Sequence, residues 1–179
     1  MSVSRLLHAL HFAADKHRDQ RRKDALASPY INHPILVAQL LADIAGVTDT
    51  DILMAAILHD TVEDTETTFE ELEQLFGSSV AGIVAEVTDD KTLSKKERKR
   101  LQIEHAQHIS PEGALVKIAD KLANIHDIAI NPPQGWDRAR RTEYLAWAEA
   151  VVGSCPSVNV ALENRFAETL ETAHAALQV

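Results

Sequence analysis

Along this chain apolar residues return every three or four positions and nowhere alternate one by one. That pattern builds helices and leaves no strand to pair. Leu6, Leu7, Leu10 and Ala14 trace a first helix to about His17. "HPILVAQLLADIAG" carries Pro34 in the first turn of a second and Gly46 as its stop signal. Asp49 or Thr50 suits the cap of a third, "DILMAAILHD". Thr67 or Thr68 with Glu70 or Glu71 predicts a capping box before "FEELEQLFG". "SSVAGIVAEVTDD", "SKKERKRLQIEHAQH" and "PEGALVKIADKLANIHDI" continue the helical spacing up to the break at "NPPQG". Two final helices are expected over about Trp136–Val152 and Val158–Ala176. The expectation is an all-α fold of about nine helices in one domain over residues 1–179, long enough to bury a core.

Several functions are already disfavoured. No apolar run is long enough to span a bilayer, and the N-terminus lacks the pattern of a signal peptide. The lone Cys155 gives no internal disulfide and fits a reducing, cytoplasmic setting. A net charge of −9 argues against nucleic acid as a partner. Yet 14 of the 18 Lys and Arg fall in three windows, "KHRDQRRK", "KTLSKKERKR" and Arg138–Arg141, which suits a small polyanion. Much of "SKKERKR" reads equally well as a solvated helix face. No glycine-rich phosphate loop exists, so phosphate chemistry would need a metal and side chains.

One stretch stands out, "ILHDTVEDT". An apolar helix ends in His59, Asp60, Glu63 and Asp64, at the negative end of its dipole, where carboxylates are unfavourable. On a continuous helix His59 stacks over Glu63 and Asp60 over Asp64, so His59 and Asp60 approach an ion from two sides with Glu63 nearby. Further ligands would come from His33 in "YINHP" and Asp120 in "KIADKLANI". Two imidazoles and two carboxylates suit Mn²⁺, Fe²⁺, Mg²⁺ or Zn²⁺, with room left for a water made nucleophilic by the ion. The residues alone leave other readings open. His33 also suits a cap or a surface position, and Asp120 also suits pairing with Lys117 or Lys121 along its own helix.

"HDTVEDT" together with "YINHP", "RRKD", "EVTDDKT" and "KIADKLANI", in this order, resembles the HD-domain hydrolases of the RelA/SpoT alarmone family, most closely the stand-alone metazoan SpoT-homologue type. The resemblance covers Ala9 to about Trp147. It implies a helical HD fold around one Mn²⁺ that removes the 3′-pyrophosphate of ppGpp or pppGpp to give GDP or GTP. Carried over residue by residue, His33, His59, Asp60 and Asp120 become metal ligands, and Glu63 and Asp64 the catalytic acids. Arg22 and Lys23 match positions beside the guanine, Lys95 and Arg140 basic positions near the phosphates, and Asn124 and Tyr144 positions at the sugar and phosphates.

The chain also departs from that pattern. It ends at Val179 without room for the synthetase domain of the bifunctional relatives, so degradation without synthesis is expected. His126 stands where many members carry arginine, which suggests altered substrate contacts. Past Gly153 the resemblance fades, and the last helix is expected only to pack. The rival readings are an NADPH 2′-phosphatase or another HD nucleotide phosphohydrolase, and a non-catalytic alarmone sensor. No "GYP" triplet supports a cyclic-dinucleotide substrate, and the intact set of six residues disfavours the sensor.

Overall fold

The computed structural model describes residues 2–178. Nine helices of eight residues or more and one single-turn helix make up the described chain. They are α1 (Ser2–Lys16), α2 (Asn32–Asp43), α3 (Thr50–Leu58), the single turn α4 (Thr61–Asp64), α5 (Phe69–Phe76) and α6 (Ser78–Val87). Then come α7 (Lys95–Ala106), α8 (Pro111–Ile130), α9 (Arg138–Ser154) and α10 (Val160–Ala176). No strand forms among the described residues; Arg21 and Pro29 make one isolated antiparallel bridge. None of the helices is long and apolar enough to cross a membrane.

Local chemistry sets the helix starts. Asp49 accepts from the Asp51 N–H at 2.8 Å, and Thr68, not Thr67, accepts from the Glu71 N–H at 3.2 Å. The Glu71 carboxylate meets Lys16 at 3.2 Å, and among the described residues no return bond to the Thr68 N–H completes the expected box. Asp137 caps α9 and Asn159 caps α10, which moves both starts two residues beyond the expected Trp136 and Val158. Helix α8 has Pro111 in its first turn, behind the Ser110 cap.

Helix α8 is the axle of the domain. Val116, Ile118, Ala119, Leu122, Ala123, Ile125 and Ile128 are all buried, and α2, α3, α6, α9 and α10 pack against it. Helix α3 is apolar nearly all round, because α1, α2, α6 and α8 enclose it. These two buried helices bring the motif residues together.

The expected continuous helix through Asp60 is interrupted. Helix α3 ends at Leu58 and α4 starts at Thr61, with Asp60 at φ −97°, ψ −4°. The buried Thr61 hydroxyl donates to the Leu58 carbonyl at 2.7 Å, a side-chain bond that competes with the helical ladder. The chain therefore turns at His59 and Asp60, while the Asp64 N–H still bonds the Asp60 carbonyl at 2.9 Å, so Asp60 keeps its place one helical turn before Asp64.

Candidate active site

Four side chains from three elements meet at one buried point. His33 comes from the first turn of α2, His59 and Asp60 from the α3–α4 break, and Asp120 from the middle of α8. The ligating atoms of His33, His59 and Asp60 lie within 4.8 Å of one another. Asp120 Oδ1 stands 3.1 Å from His33 Nε2 and 3.8 Å from His59 Nε2. Both histidines are about 5 % exposed or less. His59 Nδ1 donates to the Ala56 carbonyl at 2.8 Å, which aims Nε2 at the cluster, where that buried atom has no well-formed hydrogen bond. An orphaned imidazole nitrogen facing two carboxylates fits a divalent cation.

The charges agree with that reading. Burial pushes the Asp60 carboxyl up, but the imidazoles of His59 and His33 overcome it and hold Asp60 well below the usual carboxylate range. Burial also pushes Asp120 up, and Lys121 and His33 reverse that. For His59, burial favours the neutral ring, yet Asp60 and Asp120 raise it to about 9. Tyr30 donates to Asp60 Oδ2 at 2.6 Å, and burial beside these acids keeps its phenol protonated. Asp120 does pair with Lys121, at 3.0 Å, and accepts from Asn124 at 2.6 Å, while it also faces His33. Pairing along the helix and a place in the cluster thus coexist.

Glu63 and Asp64 lie on two sides of the short α4. Glu63 lines the cluster's cavity of about 140 Å³, where it accepts from the Asp89 N–H at 3.2 Å. Burial, then Asp89 and Asp60, push its carboxyl up to about 7. Asp64 lines a larger cleft of about 370 Å³, pairs with Lys91, and its carbonyl accepts from Gln20 at 3.0 Å. The two spaces share a wall of Arg22, Tyr30 and Asn124.

The cleft gathers most of the expected substrate contacts. Arg22 donates to Asp127 at 2.5 Å and to Asn124 at 3.3 Å, and Lys23, Asn124 and Tyr144 also line the walls. Tyr144 packs between Trp136 and Trp147, with ring centroids 5.6 and 5.2 Å away, and burial pushes its phenol up to about 12. Lys95 and Arg140 line neither space. Arg140 lies 4.4 Å over the Trp136 ring, and Lys95 is lowered by burial and by the charges of Arg140, Lys99 and Lys23. These cations form an exposed rim.

Sequence reasoning missed Tyr30, Asp127, Trp136 and Lys91. Tyr30 and Lys91 stood inside quoted motifs, Asp127 inside the stretch "KIADKLANIHDI" as half of a second His–Asp dipeptide, and Trp136 was read only as a helix start. His126 is corrected: it sits with Leu36, Leu40 and Arg165 between α2, α8 and α10 and lines neither space.

A helical domain whose buried helices bring two histidines and two aspartates to one point belongs to the HD-domain family, whose model matches residues 9–148. Within it, the chain is 56 % identical over 160 residues to guanosine-3′,5′-bis(diphosphate) 3′-pyrophosphohydrolase MESH1 of Xenopus tropicalis, covering 89 % of each chain. Identity to the Mus musculus protein of that name is 53 % over 169 residues, 94 % of each chain. A solved structure described as a metazoan orthologue of SpoT that hydrolyses ppGpp superposes with a TM-score of 0.92 at 48 % identity, covering 96 % of each chain. The family model ends at residue 148, near the expected limit of the resemblance, while an alignment of 169 residues must extend past Gly153 into α10.

Proposed function

We propose that the chain hydrolyses guanosine 3′,5′-bis(diphosphate), and pppGpp likewise, at the 3′-diphosphate, releasing GDP or GTP and pyrophosphate. The observation that carries this reading is the shared wall of Arg22, Tyr30 and Asn124. It joins a cleft with cations and aromatic rings, suited to a nucleotide, to a small polar cavity holding four ligand-type side chains and Glu63. A 3′ substituent of a nucleotide held in the cleft would reach the cluster through that wall.

His33, His59, Asp60 and Asp120 would hold one divalent ion, Mn²⁺ in this proposal. When bound, the ion supplies Lewis acidity and lowers the pKa of a bound water. Glu63, half-buried and raised to about 7, accepts the proton of the attacking water. The water oxygen bonds to phosphorus as the P–O3′ bond breaks, and the 3′ oxygen takes up one proton. Asp64, which lines the cleft, would manage that proton. Arg22 and Lys23 hold the base, Asn124 and Tyr144 the sugar and inner phosphate, and the rim cations Lys95 and Arg140 attract the charged substrate.

The test is product analysis by anion exchange on metal-stripped protein with ppGpp, with and without Mn²⁺, Mg²⁺ or Zn²⁺, beside NADPH and an Asp60→Ala variant. Metal-dependent GDP and pyrophosphate, lost in the variant, is expected. Dephosphorylation of NADPH with ppGpp intact would overturn the substrate and keep the centre. Binding of ppGpp without turnover would overturn the enzyme in favour of a sensor.

A further inference from the structure

Lys117 is a buried cation without an anion. Its side chain is 6 % exposed, makes no ion pair among the described residues, and donates only a long 3.4 Å bond to the Val87 carbonyl. Its neighbour Lys121, equally buried, shows the ordinary solution: it pairs with Asp120 at 3.0 Å and lies 4.6 Å over the Trp147 ring. The carboxylates whose charge reaches Lys117, Asp120 and Asp89, are committed elsewhere, Asp120 to His33, Lys121 and Asn124, and Asp89 to Gln102 at 2.7 Å. An ammonium held this way is costly unless an anion joins it.

Its place along α8 says which anion. Asn124, Asp120 with Lys121, and Lys117 follow one another up a single helix face at intervals of about one turn. Asn124 lines both the cleft and the cavity, Asp120 belongs to the cluster, and Lys117 lines the cavity alone, with Val87, Gln102 and Val116. Seven residues of helix put Lys117 about 10 Å beyond the mouth. A group entering past Asn124 meets the cluster first and Lys117 last.

We propose that Lys117 binds the terminal phosphate of the 3′-diphosphate, and so makes the cavity select a diphosphate over a monophosphate. This rests on the nucleotide reading above and extends it: the phosphate next to the sugar lies at the cluster, and the outer one reaches the ammonium at the end of the cavity away from Asn124.

The experiment measures inorganic pyrophosphate and inorganic phosphate binding to Mn²⁺-loaded protein by calorimetry, together with ppGpp turnover, in wild type, Lys117→Met and Lys117→Arg. A charge-assisted contact predicts about a 10–100-fold loss of pyrophosphate affinity in the Met variant and partial recovery in the Arg variant. Phosphate affinity should move by less than about 3-fold, and KM for ppGpp should rise more than kcat falls. Pyrophosphate affinity within about 2-fold of wild type, in a Met variant that still binds Mn²⁺, overturns the proposal. Should the Met variant fail to fold, Lys117→Gln is read by the same criteria. If wild type leaves ppGpp intact while the Met variant loses pyrophosphate affinity, the diphosphate site stands and only the nucleotide reading falls.

Discussion

His59 donates its Nδ1–H to the carbonyl of Ala56 at 2.8 Å, one turn back along α3. That bond fixes the ring so that Nε2 faces Asp60 at 3.0 Å. The Ala56 carbonyl is free to accept because α3 stops at Leu58, so the helix break that the motif creates also orients the motif's own histidine.

Metal binding should release a proton. Without the ion, His59 keeps its proton to about pH 9, whereas a ligating imidazole must be neutral. Calorimetry in buffers of differing ionisation enthalpy, at about pH 7.5, should show release of about one proton per Mn²⁺, and affinity should rise up to tenfold per pH unit below 9. The linkage to folding has a definite sign. His59 is raised above its ordinary 6.5, so its stabilisation is complete below that value and is lost as pH climbs through 9. Metal-free protein should lose stability over that range and metal-loaded protein should not. Binding without proton release would remove His59 from the ligand set.

Tyr30→Phe should weaken the metal without disturbing the fold. The phenol donates to Asp60 Oδ2 at 2.6 Å and so holds the carboxylate in place. Loss of such a supporting bond typically costs about 10–100-fold in metal affinity. A Mn²⁺ titration of the two proteins reads this directly, and equal affinities would leave Tyr30 a wall residue only.

Gly113→Ala should destabilise, although alanine is favoured over glycine inside a helix by about 1 kcal/mol. A Cβ there would collide with the Glu86 carboxylate and stand 2.8 Å from Ile109 Cγ1. Glu86 cannot simply swing away, because it accepts from the Ser110 N–H at 3.0 Å and hydroxyl at 2.6 Å, beside the cap that starts α8. Overpacking of this kind costs about 1–3 kcal/mol. Each kcal/mol lowers the melting temperature by about 2–4 °C in a domain of this size. A variant as stable as wild type would mean that Glu86 relocates freely.

Helix order was legible, and the caps were narrowed to Asp49 or Thr50 and to Thr67 or Thr68, because each depends on residues within one turn. The four clustered side chains were legible as a motif, though the residues left His33 and Asp120 each with an ordinary alternative. The α3–α4 break was not legible, since it turns on whether Thr61 bonds backward to Leu58, a choice made by burial. Lys117 read as a helical partner for Asp120, but the tertiary fold gives Asp120 to His33, Lys121 and Asn124 and turns Lys117 to Val87. Asp127 had no assigned role, because its partner Arg22 lies 105 residues away in the chain.

Glu63→Gln should separate catalysis from stability. As the proton acceptor for water, Glu63 should account for about 10²–10⁴-fold in kcat, while Mn²⁺ affinity stays near wild type because Glu63 is no ligand. The same change should stabilise the metal-free protein. Burial raises the Glu63 carboxyl from 4.5 to about 7, so the fold disfavours its charged form. Below about pH 4.5 both folded and unfolded chains hold the proton; between 4.5 and 7 only the folded chain does, and stability falls across that window as pH rises. Glutamine carries no charge to expel. At about pH 8 the variant should exceed wild type by about 2 kcal/mol, a value discounted for partial exposure, and near pH 4 the two should coincide. Urea titrations of metal-stripped protein at both pH values measure the difference. An equal gain at both would trace it to packing instead of charge. No gain at either would mean that the Glu63 carboxylate is stabilised as well in the fold as in water, and an unchanged kcat would mean that a different group takes the proton.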